Sequence, residues 1–151
     1  MPRADCGFVD GPGGPGAVLL MQHGPTLIVN IGFDPKYDPT NPSIPAPNIV
    51  GVYALVDTGA SQSCIDVDLA SKIGLPVVDK GHIAGSGGKH EVDIYLAQIH
   101  VTSLNQTIYG RFAGVNLTAG GQSHRALIGR TFLRRYKMVY DGPTGAVTIE
   151  D

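Results

Sequence analysis

One acidic residue stands out by its position: Asp57 directly follows an apolar run and directly precedes Thr58 and Gly59. A strand that enters a core seldom ends on a bare carboxylate, because burying a charge without partners is costly. Gly59 allows a tight turn that brings backbone amides close to the carboxylate, and the Thr58 hydroxyl can bond the loop to a neighbour. Such a carboxylate is a candidate general acid or base. The triplet alone recurs by chance, so an ordinary turn aspartate is the alternative.

Two further segments follow Asp57 along the chain. Residues 83–88 read Ile-Ala-Gly-Ser-Gly-Gly, which is typical of a glycine-rich hairpin tip. Residues 126–130 read Ala-Leu-Ile-Gly-Arg, which predicts an apolar strand that ends in glycine and opens a short helix. The three segments in this order are a more specific signal than the triplet alone.

In this order the segments resemble the retropepsin family, the single-domain aspartic proteases of retroviruses and of their cellular and bacterial relatives. The resemblance covers residues 26 to about 136, with the proline-rich segment 34–48 as a loop insertion. It implies an all-β, retropepsin-like acid protease fold: a compact antiparallel β domain with a flap hairpin at 82–93 and one or two short helices. It also implies a homodimeric aspartic endopeptidase that hydrolyses peptide bonds in a peptide or protein substrate.

The implied mechanism needs two carboxylates that share one proton, so that one acts on a water as base while the other acts as acid. The chain has one Asp-Thr-Gly triplet, and its nearest imitation, Asp141-Gly142, lacks the threonine. One catalytic carboxylate per chain requires two chains per site, related by a two-fold axis between the two copies of Asp57. In the family, the triplet threonine reaches across that axis and terminal strands form a shared sheet. The resemblance therefore assigns Thr58 and the hairpin 137–150 to the interface.

The resemblance also assigns the other site residues. It gives Asp57, Thr58 and Gly59 as catalytic residues, and Gly129 and Arg130 as structural ones. The implied substrate-binding positions are Ala60, Ser61, Gln62, Cys64, Gly85, Ser86, Gly87 and Leu127. Cys64 and Leu127 would favour apolar side chains next to the scissile bond, although both also suit a plain core.

Several positions depart from the family pattern. Ser86 stands at the flap tip where viral enzymes often carry an aliphatic residue. Ser61 and Gln62 stand where viral members often have acids, one of which pairs with the arginine that matches Arg130, so another partner is expected for Arg130. Ala60 stands where two-lobed pepsins carry a hydroxyl that donates to the carboxylates. Without that hydroxyl the two carboxylates should keep their shared proton to higher pH, which extends activity toward weakly acidic or near-neutral conditions.

The rest of the sequence predicts the elements around this site. Its 151 residues suit one domain, and 21 glycines and 11 prolines favour short strands and turns over a helix bundle. We expect a flexible leader at 1–16 and a single protease domain at 17–151. The cysteines, Cys6 and Cys64, lack metal or redox spacing and are interpreted as free thiols. The predicted elements are two short strands in 17–33 broken at Gly24-Pro25, short helices at 68–74 and 130–136, and the hairpins at 81–102 and 137–150.

Composition argues against several partners. A net charge of −2 with no Trp argues against nucleic acid, and the late cluster of basic residues at 125–137 is interpreted as a solvated helix face. The five histidines lack ligand spacing, so neither a metal nor another cofactor is expected.

The apolar run at 17–21 is too short for a signal peptide or a membrane span, so a cytoplasmic protein without a membrane partner is expected. The Met start favours a stand-alone enzyme.

Two other functions stay open at this point. One is a catalytically weak retropepsin-fold module for dimerisation or peptide binding, and the other is a monomeric β domain that binds a ligand without catalysis. The intact triplet argues against the first, because a binding module has no need of a costly paired acid.

Overall fold

The computed structural model describes residues 2–41, 43–85 and 88–151, and most of these lie in β-strands. The strands are β1 (Arg3–Asp5), β2 (Thr26–Gly32), β3 (Ile49–Val56), β4 (Cys64–Asp66), β5 (Val77–Gly85), β6 (Gly88–Val101), β7 (Gln106–Val115), β8 (Ala126–Ile128), β9 (Lys137–Asp141) and β10 (Ala146–Glu150). The helices are α1 (Gly16–His23), α2 (Val67–Lys72) and α3 (Arg130–Leu133), with one 3-10 turn at Thr102–Leu104. The predicted all-β class with short helices is confirmed.

The main sheet has seven strands in the order β2-β3-β8-β4-β7-β6-β5, and a further β2–β6 pairing closes it on itself. Most neighbours are antiparallel, but β3 pairs with β8 and β4 pairs with β7 in parallel. Alternate residues of β2, namely Leu27, Val29 and Ile31, are fully buried in the core, as the two-residue period of a strand requires. This core holds the carboxyl ends of β3 and β8 side by side, and that edge of the sheet carries Asp57.

A second sheet, in the order β1-β10-β9, joins the two ends of the chain. The leader predicted to be flexible at residues 1–16 is instead packed into the fold: β1 pairs with β10, and Ala4 and Cys6 are each only 1% exposed. The sequence did not predict this strand, because the segment is rich in glycine and proline and contributes only two small apolar residues, Ala4 and Cys6, to the core. Burial, helped by the nearby Asp5 carboxylate, raises the pKa of the Cys6 thiol to about 11.

The segment 17–33 forms a helix and a strand, so the prediction of two strands is wrong in its first half. Pro15 precedes α1, and Gly24 ends it with a φ of 74°, a conformation that glycine adopts without strain. The helix carries Ala, Leu, Met and Gln, which are good helix formers. A short apolar run is compatible with either structure, and burial of Leu20 against the core selects the helix.

The proline-rich segment 34–48 is a loop tied down at both ends, and its described residues form no helix or strand. The backbone amide of Asp34 donates to Gln98 Oε1 at 2.7 Å. Near the other end, Asn48 Oδ1 accepts from the Phe33 amide at 3.2 Å and Asn48 Nδ2 donates to the Ile73 carbonyl at 3.0 Å. The loop therefore packs along the outside of the main sheet.

The buried carboxylate of Asp66 connects the start of α2 to the loop after β7. It caps α2 by accepting from the Leu69 amide at 3.1 Å, and it accepts from the amides of Leu117 and Thr118 at 3.0 and 2.9 Å. The Thr118 hydroxyl adds a fourth hydrogen bond at 2.7 Å. Burial alone raises the pKa of Asp66, but the four hydrogen bonds outweigh it and hold the pKa below its ordinary value of 3.8.

Replacing Asp66 by Asn is expected to lower the free energy of unfolding at neutral pH by about 3 kcal/mol, because buried donors lose their acceptor. The pKa is lower in the folded than in the unfolded state, so the carboxylate stabilises the fold fully above the unfolded pKa. That stabilisation is lost as the pH falls through the folded pKa. Urea unfolding of both proteins should therefore give a constant difference above about pH 5 that shrinks below pH 4. A difference independent of pH would contradict this role of the charge.

Candidate active site

Asp57 lies immediately after β3, at the edge of the sheet where β3 and β8 run parallel. The register pairs Val56 with Ile128, and the Asp57 amide donates to the Ile128 carbonyl at 2.9 Å. The Val56 amide donates in turn to the Pro25 carbonyl at 2.8 Å, which ties β3 to the start of β2. The backbone of the acid is thus fixed by two neighbouring strands while its half-buried side chain stays accessible.

The turn after Asp57 brings a backbone amide onto the carboxylate. Gly59 N donates to Asp57 Oδ1 at 2.9 Å, and the Ala60 amide donates to the Asp57 carbonyl at 3.2 Å. A Cβ at Gly59 would lie 3.1 Å from Asp57 Oδ1, tighter than ordinary packing. Glycine therefore permits the close approach that the sequence predicted for this position.

The start of α3 holds the other side of this turn. The Arg130 amide donates to the Ala60 carbonyl at 2.8 Å, and the Thr131 amide donates to the Ser61 carbonyl at 3.0 Å. The buried Gly129 amide donates to Ser63 Oγ at 3.0 Å. The turn at 57–61, which we call the Asp57 turn, and the start of α3 therefore form one hydrogen-bonded unit, although about seventy residues separate them.

Gly129 is the tightest point of this unit. A Cβ at Gly129 would lie 2.6 Å from the carbonyl carbon and oxygen of Gln62 and 3.0 Å from the Ala60 carbonyl oxygen. These are backbone atoms that cannot move aside without breaking the hydrogen bonds of the turn. The φ of Gly129 is −92°, so contact with the turn, not an unusual backbone conformation, requires glycine here.

Arg130 has a hydrogen-bond partner other than the acid found in viral members of the family, as the sequence predicted. Its guanidinium NH1 donates to the Thr58 carbonyl oxygen at 2.7 Å, a charge-assisted hydrogen bond that fixes the middle of the Asp57 turn. The side chain of Thr58 remains exposed.

A cleft of about 850 Å³ opens beside the Asp57 turn. Five of the predicted substrate-binding residues line it, namely Ala60, Ser61, Gln62, Cys64 and Leu127. Cys64 and Leu127 are paired across β4 and β8 and are half-buried, so their side chains reach both the core and the cleft. Burial, and then the charge of Asp57, raise the pKa of the Cys64 thiol, which is therefore protonated at neutral pH.

The predicted flap corresponds to the hairpin of β5 and β6. Ile83 and Ala84 of β5 line the cleft, and Gly85 pairs with Gly88 where the strands end. Ser86 and Gly87, which were predicted to bind substrate, lie outside the described residues.

Several charged residues line the cleft that sequence reasoning did not identify. Arg111 NH1 lies 3.4 Å from Asp79 Oδ2, and Lys80 Nζ donates to Asp93 Oδ1 at 2.9 Å. The Asp93 hydrogen bond and charge raise the pKa of Lys80. The one signal for Arg111 was the alternation of β7, in which residues 111, 113 and 115 share a face. The sequence does not show that this face lines the same cleft as the Asp57 turn.

The described residues meet the requirements of neither a metal-binding cluster nor a membrane-spanning helix. Its His, Cys, Asp and Glu side chains form no group of three or more that could hold an ion. None of its helices is both long and apolar enough to cross a bilayer.

Comparison with known proteins gives one family. Residues 48–135 match the family described as "gag-polyprotein putative aspartyl protease", a stretch that contains the Asp57 turn, the hairpin of β5 and β6 and the start of α3. No curated protein matches the chain by sequence.

Three solved structures are similar to this chain at low identity. EIAV protease in complex with an inhibitor is 22% identical, with a TM-score of 0.46 over 74% of this chain and 86% of that one. A retropepsin-like aspartic protease from Rickettsia conorii is 14% identical, with a TM-score of 0.49 over 97% and 90%. The retroviral protease-like domain of Ddi1 from Leishmania major is 22% identical, with a TM-score of 0.45 over 83% and 89%.

Proposed function

Because this chain belongs to that family of gag-polyprotein aspartyl proteases, we propose that it is an aspartic endopeptidase whose active site forms between two copies of the chain. The observation that carries the proposal is the position of Asp57, which is fixed through its backbone and half-buried beside a large cleft. The chain carries one such acid, so a carboxylate pair requires the Asp57 of a second copy.

In the proposed reaction, a water lies between the two Asp57 carboxyl groups, one ionised and one protonated. The ionised carboxylate takes a proton from the water as its oxygen bonds to the peptide carbonyl carbon, and the other acid gives its proton to the carbonyl oxygen. The resulting diol collapses when one hydroxyl proton returns to a carboxylate and the amide nitrogen takes a proton as the C–N bond breaks. The pair again holds one proton, as it did at the start.

Two features support the proposed assembly. The exposed side chain of Thr58 is free to bond across a two-fold axis next to Asp57. β9 is an edge strand whose Val139 and Tyr140 are 44% and 54% exposed, and exposed edge strands pair readily with other chains. We propose that the hairpin of β9 and β10 contributes to the interface.

The function is tested by incubating the protein with a peptide library over a range of pH, with and without a pepstatin-type inhibitor. We expect cleavage at defined sites that the inhibitor abolishes. A folded dimer that binds peptides without cleaving any of them would instead be a peptide-binding module, and the proposal would be wrong.

Replacing Ala60 by Ser is expected to move the pH–rate profile for peptide cleavage to lower pH. A hydroxyl next to the carboxylate pair donates to its charged form and favours that form. Both limbs of the profile should shift by about half to one pH unit. Ala60→Gly, which adds no donor, is the control and should leave the limbs in place, whereas equal profiles for Ala60→Ser and the wild type would refute the role given to this position.

A further inference from the structure

A groove continues from the catalytic cleft along the outside of the molecule. It consists of two adjoining cavities of about 340 and 350 Å³ that share Thr107, Tyr109 and Arg135. β7, the residues after α3 and the proline-rich loop form its walls. We call it the arginine groove, after Arg111, Arg134 and Arg135 in its lining.

The charge of this groove is unusual for the protein. Each charged side chain among the described residues that line the two cavities is an arginine, whereas the whole chain has a net charge of −2. Arg134 and Arg135 are exposed and form no salt bridge with the described part of the chain. Two unpaired guanidinium groups in a concave site attract carboxylates, to which they can donate two parallel hydrogen bonds.

Two aromatic rings also line the groove and give it an apolar surface. Tyr37 of the proline-rich loop contacts Tyr109 of β7, with ring centroids 5.7 Å apart. Both rings line the cavity beside Arg135. Tyrosine pairs of this kind provide apolar area with hydroxyl donors at the edge, which suits a polypeptide.

The groove is continuous with the catalytic cleft. Gln62, Ser63 and Arg111 line both the cleft and the nearer of the two cavities. A polypeptide that leaves the cleft past these residues can therefore continue directly into the arginine groove.

We propose that the arginine groove binds acidic side chains of the substrate, several residues away from the scissile bond. The proposal rests on the proposed peptidase function. In a two-fold dimer there is one groove at each end of the cleft, so acidic residues on either side of the cleavage site should be recognised. Continuity with the cleft favours a polypeptide over a nucleic acid as the occupant.

The kinetic test uses a peptide that the enzyme cleaves, extended at either end by about six residues, which span roughly 20 Å when extended. One series carries Glu in the extension and the matched series carries Gln. At low ionic strength the Glu series should have a KM about 5-fold lower, and added salt should reduce that advantage. The double variant Arg134→Gln/Arg135→Gln should remove the advantage without changing cleavage of the unextended peptide. Lys72→Gln, which removes a charge from α2, should keep it.

Equal KM values for the Glu and Gln series, with the unextended peptide still cleaved, would overturn the groove proposal and leave the proposed function standing. If the protein cleaves no peptide, the proposed function is refuted, and a peptide-binding experiment then tests the groove by itself. For this, a labelled Glu-rich peptide is titrated with Asp57→Asn protein and followed by fluorescence anisotropy, with the arginine double variant as comparison. Binding that the double variant weakens supports the groove. A single-stranded oligonucleotide that displaces the peptide at lower concentration would overturn it, because the groove would then be a nucleic-acid site.

Discussion

Replacing Asp57 by Asn is expected to lower kcat for peptide cleavage by about 10³-fold or more, because the pair can no longer hold and exchange one proton. Asparagine has nearly the shape of aspartate, and its side-chain oxygen can still accept the hydrogen bond from the Gly59 amide. The fold and the dimer should therefore persist. Steady-state kinetics on one peptide, together with the sedimentation coefficient and the circular dichroism spectrum, measure both parts of this expectation.

Asp68→Asn is the matched control for this variant. Asp68 is an exposed acid in the first turn of α2, outside the residues that line the cleft. Its replacement should leave kcat within about twofold of the wild type, since a surface charge near a helix start affects stability by less than about 1 kcal/mol. If Asp57→Asn retained wild-type cleavage, another group would have to supply the acid and base, and the assignment of the catalytic residue would be wrong.

Replacing Gly129 by Ala is expected to cost about 3 kcal/mol of unfolding free energy and nearly all of the activity. The new methyl group would lie 2.6 Å from the Gln62 carbonyl, so the turn or the start of α3 must move. Either movement breaks the hydrogen bonds from α3 to the Ala60 and Ser61 carbonyls and displaces Asp57. Urea unfolding measures the stability loss, and kinetics at a temperature where the variant is folded measure the loss of activity.

Gly11→Ala is the matched control, because a Cβ at Gly11 meets no atom within 4 Å. This substitution should change the unfolding free energy by less than about 0.5 kcal/mol. If the Gly129→Ala protein were as stable and active as the Gly11→Ala protein, the turn would accommodate a Cβ at residue 129, and the close contact described above would be wrong.

The turn that carries Asp57 could be predicted from sequence because its signals are local. An apolar strand, an acid and a glycine lie within a few consecutive residues, and the strand that ends at Gly129 carries a similar signal. The family match over residues 48–135 confirms the resemblance to retropepsins. The contact between the two segments follows from the parallel pairing of β3 with β8, which neither segment reveals by itself.

Features that depend on contacts between distant parts of the chain were not predictable in this way. Arg111 lines the cleft because β7 pairs with both β4 and β6, which sets the direction of its side chains. The strand β1 was mistaken for a flexible leader because its stability comes from pairing with β10, at the other end of the chain. In each case the deciding interaction lies outside any window of neighbouring residues.

The account rests on one active site built from two chains, and mixing subunits tests it most directly. Wild-type protein is equilibrated with increasing amounts of Asp57→Asn protein at constant total concentration, and cleavage is measured per wild-type chain. Random exchange between dimers predicts that this activity falls in proportion to the wild-type fraction, to about a quarter when three of four chains carry the substitution. Activity per wild-type chain that stays constant at every ratio, although subunits exchange, would contradict the account, because each chain would then cleave peptides alone.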